Sequence, residues 1–340
     1  MILSEIQKGL PTEYESFLIE KYHSFLTTCR YIQVYYPAHD INYILVKTDN
    51  ELSDLIVFGI FGHTAYCFNS LVSMDQKLIE NFTKLIFDQF SKLKKIKIDA
   101  SYTEYQLKKS ILIFKSDNQI LKLPDTVDQY LTDLGQKKRK NAKARQRKLA
   151  ADFKSIVFTV KFGKEIDGNV VDKIVQFNRC RMKSKGKISG INDEYENSIY
   201  KYCKHYGCVS TLELDGEMVA GSIGTLINKD IYMQVISFDE NYQSYNVGEV
   251  CTNNMINYAI ENKWTNFHFL WGRTEFKRRM MADSHDLYSY YVYRNYSLGY
   301  ITERIKVSLN HLINNCKQPL FLDPVRKKIK NIRIKQSTAH

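Results

Sequence analysis

Asn241-Tyr242-Gln243-Ser244-Tyr245-Asn246-Val247-Gly248 stands between residues 230–238, which read as a strand, and residues 249–262, which read as a helix. A turn of this kind leaves successive backbone N–H groups and the positive end of the following helix facing one point, where an anion is stabilised. A glycine at its end removes the Cβ that would hold the anion off. The same residues can also be an ordinary strand-to-helix connection, because they hold a single glycine. The surrounding sequence separates the two readings.

Downstream, Phe267 to Trp271 predicts a strand, residues 274–282 a short helix, residues near 287–296 further strand, and residues 301–315 a final helix. Upstream, the order is a strand at 156–162, helices at 167–184 and 192–206, and strands at 208–214 and 217–227. Residues 127–149 can be helical throughout except at Gly135, and capping chemistry begins at Asp125, after Pro124. The first 30 residues read as helices, with apolar side chains at 14, 17, 18, 22, 25 and 26. Residues 31–36, 43–47, 55–61 and 64–68 are short β-branched or aromatic runs broken by Asp, Asn and Gly, which predicts strands and hairpins. Residues 76–93 carry apolar side chains at helical spacing, and 95–100 reads as a strand.

Two more stretches turn this order into a resemblance. Phe267-His-Phe-Leu-Trp-Gly-Arg-Thr-Glu-Phe-Lys277 is a strand ending in glycine, then a helix bearing lysine; Leu123-Pro-Asp-Thr-Val-Asp-Gln-Tyr-Leu-Thr-Asp-Leu134 precedes Lys137-Lys-Arg-Lys140. With the turn at 241–248, they resemble the GNAT superfamily in order and spacing. Within it they resemble the branch of BioF-like and cellulose-locus acetyltransferases, and the Fem-type aminoacyl transferases. The resemblance implies an α/β (α+β) GNAT fold: a mixed, mostly antiparallel central sheet flanked by helices, in two tandem GNAT-like domains. It implies a degenerate GNAT-like domain over 1–123, a basic linker helix over 124–150, an acyl-CoA-binding GNAT domain over 151–318 and a basic tail over 319–340. Residues 68–76 contain no glycine, so the first half has no phosphate-loop counterpart and reads as a scaffold or acceptor wall.

The activity implied is N-acylation: an acyl group moves from acyl-CoA to the amino group of an amino sugar, by direct attack on the thioester and without a metal. In the preferred form the sugar is nucleotide-linked and the pathway makes a surface polysaccharide such as lipopolysaccharide or capsule. The alternatives are a polysaccharide O-acetyltransferase, a Fem-like aminoacyl transferase, and a non-catalytic or RNA-binding module. The sequence lacks the long helical hairpin insertion typical of Fem proteins, which counts against the second of these.

In such a fold the strand before the phosphate loop and the strand ending at Trp271 splay apart, and the donor's pantetheine arm lies between them like an added strand. Residues 233–237 then offer N–H groups to an oxyanion. The expected coenzyme A-binding residues are Val235, Ile236, Ser237, Gln243, Ser244, Tyr245, Asn246, Val247, Gly248 and Lys277. His268, Glu275 and Asp239 are the candidates for the base that deprotonates the acceptor. His268 is alternatively a packed imidazole between Phe267 and Phe269, and the two carboxylates alternatively cap or face solvent. Tyr232, Gln234 and Trp271 are expected to touch the acceptor or simply to pack. Lys140, Lys143 and Arg147 either meet an anionic acceptor or form a solvated helix face.

Composition sets outer bounds. With 44% hydrophobic and 25% charged residues, the 340-residue chain has the balance of a globular protein with a buried core. Its longest apolar run, near Leu55 to Phe61, is far short of the ~20 residues that span a bilayer, and no basic-then-apolar leader is present. The expectation is a cytoplasmic protein without a membrane span. The net charge of +12 is local: eight basic residues fall within 137–148 and six within 326–335, and neither run holds an acid. The rest of the chain is slightly acidic, so the charge is weak support for nucleic acid. The seven cysteines form no CxxC and no Cys/His spacing, which argues against zinc and disulfides. Cys180 and Cys251 read as packed residues rather than nucleophiles.

Overall fold

The computed structural model describes residues 2–3 and 5–315, so the basic tail expected over 319–340 lies outside the described residues. Residues up to Arg294 form one compact unit. Those from Asn295 form a second, whose described part is mainly a helix at Leu298–Asn315.

Local chemistry sets several helix starts. Asp75, Thr126, Asp167, Asn192 and Thr274 each precede a helix in extended conformation, and each side chain accepts a hydrogen bond from a backbone N–H of the first turn. The first part of the chain holds strands β1 (Ile2–Leu3) and β2 (Gln7–Lys8), then helices α1 (Glu15–Tyr22) and α2 (Cys29–Tyr35). Strands β3 (Asp40–Thr48), β4 (Glu51–Phe61) and β5 (Thr64–Cys67) follow, then helix α3 (Gln76–Gln89) and strands β6 (Lys95–Ser101) and β7 (Ser110–Lys122). Helices α4 (Val127–Asp133) and α5 (Gln136–Asp152) meet at Gly135, whose φ of 82° breaks the helical run.

The later part holds β8 (Ile156–Phe162), α6 (Gly168–Ser184), α7 (Asp193–Tyr206), β9 (Gly207–Leu214), β10 (Glu217–Ile227) and β11 (Asp230–Phe238). A 3-10 turn at Glu240–Tyr245 leads into α8 (Val247–Glu261), then β12 (Asn266–Trp271), α9 (Glu275–Arg279) and β13 (Asp283–Tyr293). The second unit's helix is α10. No helix among the described residues is long and apolar enough to cross a membrane.

The strand expected at 31–36 is instead helix α2. The Thr28 hydroxyl accepts from the Tyr31 N–H, and Tyr31 and Tyr35, one turn apart, stack with ring centroids 4.3 Å apart. An aromatic run suits either structure, and here the cap and the stacked pair favour the helix.

The thirteen strands of the described residues form one sheet in the order β1-β3-β4-β5-β6-β13-β7-β12-β11-β10-β9-β8, with β2 also paired to β3. Neighbours run antiparallel except β5–β6 and β11–β12, which are parallel. β13 lies between β6 and β7, so the last strand of the sheet to be made is inserted among strands of the first part. β7 in turn borders β12 from Lys122↔Asn266 to Asn118↔Trp271. α6 and α7 pack Val171, Ile174, Val175, Ile199 and Cys203 against Val209, Ile223 and Val235. α8 packs Met255, Ile256, Ala259 and Ile260 against Cys208, Ile231, Met233 and Phe267. Successive strand side chains point to opposite faces, so Cys208 and Val209 assign these two cores to opposite sides of the sheet.

Candidate active site

β11 and β12 pair through Asp230↔Asn266, Ile231↔Phe267 and Tyr232↔His268, and there their register ends. Each strand continues on its outer neighbour: β11 follows β10 to Phe238↔Ala220, and β12 follows β7 to Trp271↔Asn118. An extra residue marks the point of separation in each, Gln234 in β11 and Phe269 in β12, and Leu270 takes a φ of 56°. An inserted residue bends and twists a strand locally. Two of them side by side turn the strand ends apart, as the resemblance implied.

The separation opens a cavity of about 770 Å³. Met233, Ile236, Phe269 and Phe276 bring it walls from the core under α8. Phe25, Leu26, Tyr31 and Leu270 bring it walls from the core around Tyr202 of α7. The cavity therefore crosses the sheet from one face to the other.

Gln243, Asn246, Gly248 and Glu249 line the cavity at the start of α8. Asn246 adopts a left-handed conformation (φ 54°) and its side chain makes no capping bond. A helix start without a side-chain cap leaves its first N–H groups for an outside acceptor, and its dipole favours an anion. Gly248 has a further reason to be glycine: a Cβ there would stand 2.6 Å from Cδ1 of Phe238, a cavity-wall ring. Glu249 is held from outside by Arg145 and by Arg279 at 3.8 Å.

Of the other residues expected to bind coenzyme A, Ile236 and Lys277 line the cavity. Val235 faces the α6 core, Val247 is buried against Leu149, and Ser237 is fully buried with no partner for its hydroxyl. Ser244 is exposed, and Tyr245 packs edge-on against Phe153 beneath the Lys148 ammonium. Among the expected acceptor residues, Gln234 and the half-exposed Trp271 line the cavity. Tyr232 is buried, stacked on His268 with centroids 4.1 Å apart, and its hydroxyl donates to the His23 carbonyl. Lys140, Lys143 and Arg147 are exposed on α5, outside the cavity wall.

None of the three candidate bases lines the cavity. His268 is buried, its Nδ1 lies 2.9 Å from the Asn118 amide, and its Nε2 has no partner. Burial, with a smaller contribution from His285, pushes its pKa down to about 3, so the ring is neutral. Asp239 accepts from the Asn241 N–H and caps the 3-10 turn, and the exposed Glu275 pairs with Arg278 at 2.6 Å. Lys277 donates to the carbonyls of Leu270, Trp271 and Gly272 at 3.1, 2.6 and 3.0 Å and so clasps the free end of β12. Burial, partly offset by Asp117, pushes its pKa down to about 8. Cys251 is buried beside Ser210, and burial pushes its thiol up to about 12, which leaves it unreactive. Among the described residues no group of His, Cys, Asp and Glu is arranged to hold a metal ion.

Several wall residues have no motif to announce them: Phe25, Leu26 and Tyr31 from the first part of the chain, and Arg181, Lys185 and Tyr195 around α6 and α7. Each stands far in sequence from the turn at 241–248. The capping Thr28 is the local signal that could have set Tyr31 on a helix.

Residues 136–278 match the acetyltransferase (GNAT) domain family, and that span contains the parallel pair, its gap and the α8 start. The chain carries a GNAT acyltransferase domain. Solved structures resemble the chain over most of its length, beyond the matched domain. FemX is 11% identical with a TM-score of 0.64, covering 89% of this chain and 100% of its own. L-PGS from Bacillus licheniformis is 15% identical with a TM-score of 0.57, covering 90% and 99%. A conserved protein of unknown function from Bacteroides thetaiotaomicron is 13% identical with a TM-score of 0.55, covering 84% and 98%. At these identities the likeness is one of fold. The comparison with curated proteins gives no match.

Proposed function

We propose that this acyltransferase moves an acyl group from a coenzyme A thioester to the amino group of an amino sugar. The observation that carries the reading is the cavity that crosses the sheet through the β11–β12 gap. On the α8 side, Gln243, Asn246 and Gly248 stand at an uncapped helix start suited to a pyrophosphate. Between the strands, residues 233–237 have no strand partner on the β12 side, so an extended pantetheine arm can lie there as an added strand. On the α7 side, Phe25, Tyr31 and Tyr195 supply aromatic faces that suit the C–H face of a sugar ring.

The acceptor nitrogen attacks the thioester carbonyl, backbone N–H groups of 233–237 stabilise the oxyanion, and the thiol leaves. With His268, Glu275 and Asp239 all outside the wall, the acceptor's ammonium gives its proton to water in the open cavity. The resemblance and the basic helix both favour a nucleotide-linked sugar, but Lys140, Lys143 and Arg147 stand outside the cavity wall and add no support for the nucleotide. The test is a panel of amino sugars offered with several acyl-CoAs. Acylated sugar and free thiol should appear in equal amounts; tight coenzyme A binding with no thiol release on any amino sugar would overturn the acceptor assignment.

A further inference from the structure

Arg181, in the last turn of α6, stands in the cavity wall between Ile236 and Phe238. Its Nη2 makes one long contact, 3.4 Å, to the Ile236 carbonyl, while its Nε is buried with no hydrogen-bond partner. Arg179, two residues earlier, shows the contrast: it pairs with both Asp193 and Glu196 at 2.8 Å and donates to the Ile191 carbonyl. Glu240 is the acid that offsets the burial of Arg181, and its carboxylate is engaged by the Ser184 hydroxyl at 2.6 Å. Burial pushes the Arg181 pKa down, the mark of a cation short of a partner. Lys185, at the end of the same helix, lines the same cavity. A helix C-terminus favours cations in general. That preference does not explain a guanidinium turned into a cavity with donors unused, since buried charges are normally paired.

We infer that Arg181, assisted by Lys185, binds an anionic group carried by the acceptor, a carboxylate or a phosphate. A planar guanidinium offers two parallel N–H bonds to either group. This rests on the proposed placement of the acceptor on the α7 side of the sheet, and it narrows the substrate class to acidic amino sugars.

The full chain, saturated with coenzyme A to fill the donor's own phosphate positions, is titrated with inorganic phosphate and in parallel with acetate. Ionic strength is matched with chloride, and the melting temperature is the readout. One of the two anions should raise the wild-type melting temperature. Arg181→Gln should raise the half-saturating concentration at least about tenfold, and Arg181→Lys should keep part of the effect. Lys185→Gln should weaken the same anion, which gives a second variant if Arg181→Gln folds poorly.

Three results overturn the inference: no rise with either anion, an equal rise in Arg181→Gln, or a rise in the free protein that vanishes once coenzyme A is bound. The last would give Arg181 to the donor's pyrophosphate. Failure of the donor reading itself appears separately, as no stabilisation by coenzyme A alone.

Discussion

Two strand–helix–strand units in this chain follow one plan and end differently. In β5–α3–β6 and in β11–α8–β12, an antiparallel hairpin feeds a strand, a helix crosses over, and a second strand returns parallel to the first. β5 stays in register with β6 from Thr64↔Lys95 to Cys67↔Ile98, and contact resumes beyond it. The Leu71 N–H donates to the Ala100 carbonyl at 2.8 Å, Val72 bridges Ser101, and the Tyr102 N–H donates back to Val72 at 3.0 Å. Asn69 fixes the segment from the other side, accepting from the Val57 N–H and donating to the Leu55 carbonyl. β11 instead leaves β12 after Tyr232, and the chain turns through a 3-10 segment into an uncapped helix. A closed parallel pair makes a scaffold; the same pair left open makes room for a substrate.

Filling the open pair should have the largest effect. Gln234→Trp places a large ring in the gap at the extra residue of β11 and should lower kcat/KM for the acyl donor by ~10²-fold or more, with circular dichroism unchanged. A folded variant with near-normal kinetics would show that substrates do not pass there. The matching change in the closed pair should move stability instead of rate. Asn69→Ala takes the side-chain acceptor from the buried Val57 N–H and one donor from the Leu55 carbonyl, which keeps the Tyr22 hydroxyl, and should cost about 1–3 kcal/mol in urea unfolding, with normal turnover per folded molecule.

Gly248→Val should weaken coenzyme A at least about tenfold, ~1.4 kcal/mol. Phe238 is the ring that a Cβ would meet, so adding Phe238→Ala should restore part of the affinity. No recovery in the double variant would return the effect to direct crowding of the phosphate.

His268 gives a smaller effect with a pH signature. Its pKa in the folded chain, about 3, lies below the ordinary 6.5, so between these values the unfolded chain binds more protons. Wild-type stability should therefore fall as pH drops through that window, and His268→Asn should lose this share of the acid sensitivity. At neutral pH the variant should be about 1 kcal/mol less stable, with an unchanged pH limb for turnover. A turnover loss in fully folded His268→Asn would bring the imidazole back as a base.

The smallest effect should come from neutralising Lys140, Lys143 and Arg147 together. All three are exposed, so both Michaelis constants should stay within about twofold. A selective rise for the acceptor would extend the open pair's reach to α5.

The later part of the fold was legible because its signals are local. Asp167 and Asn192 cap the helices they precede, and Asp215-Gly216, both at positive φ, separates two strands at the expected residues. The wall of the cavity was less legible. Hydrophobic periodicity says which face of an element is buried, but not which element lies opposite. Nothing near Tyr31 points to Tyr195 or Trp271. The sequence around His268 allows either a base or a packed imidazole, because the Asn118 that covers it arrives on β7 from the other part of the chain. In sequence the glycine at 248 signals room for an anion, whereas the nearest claim on that room is the Phe238 ring.

The placement of β13 bears on how this protein is made. β6 and β7 are successive strands yet leave a slot between them, and the strand that fills it is among the last parts of the compact unit to leave the ribosome. Until Tyr293 has emerged, a nascent chain carries two unsatisfied strand edges at the centre of its sheet, and such edges recruit other chains. Bringing β13 home requires contacts between segments far apart in sequence, which are slow to form. A message cut short before Asp283 would not yield a smaller enzyme; it would yield a chain whose two halves share an open seam and whose readiest partner is another copy of itself.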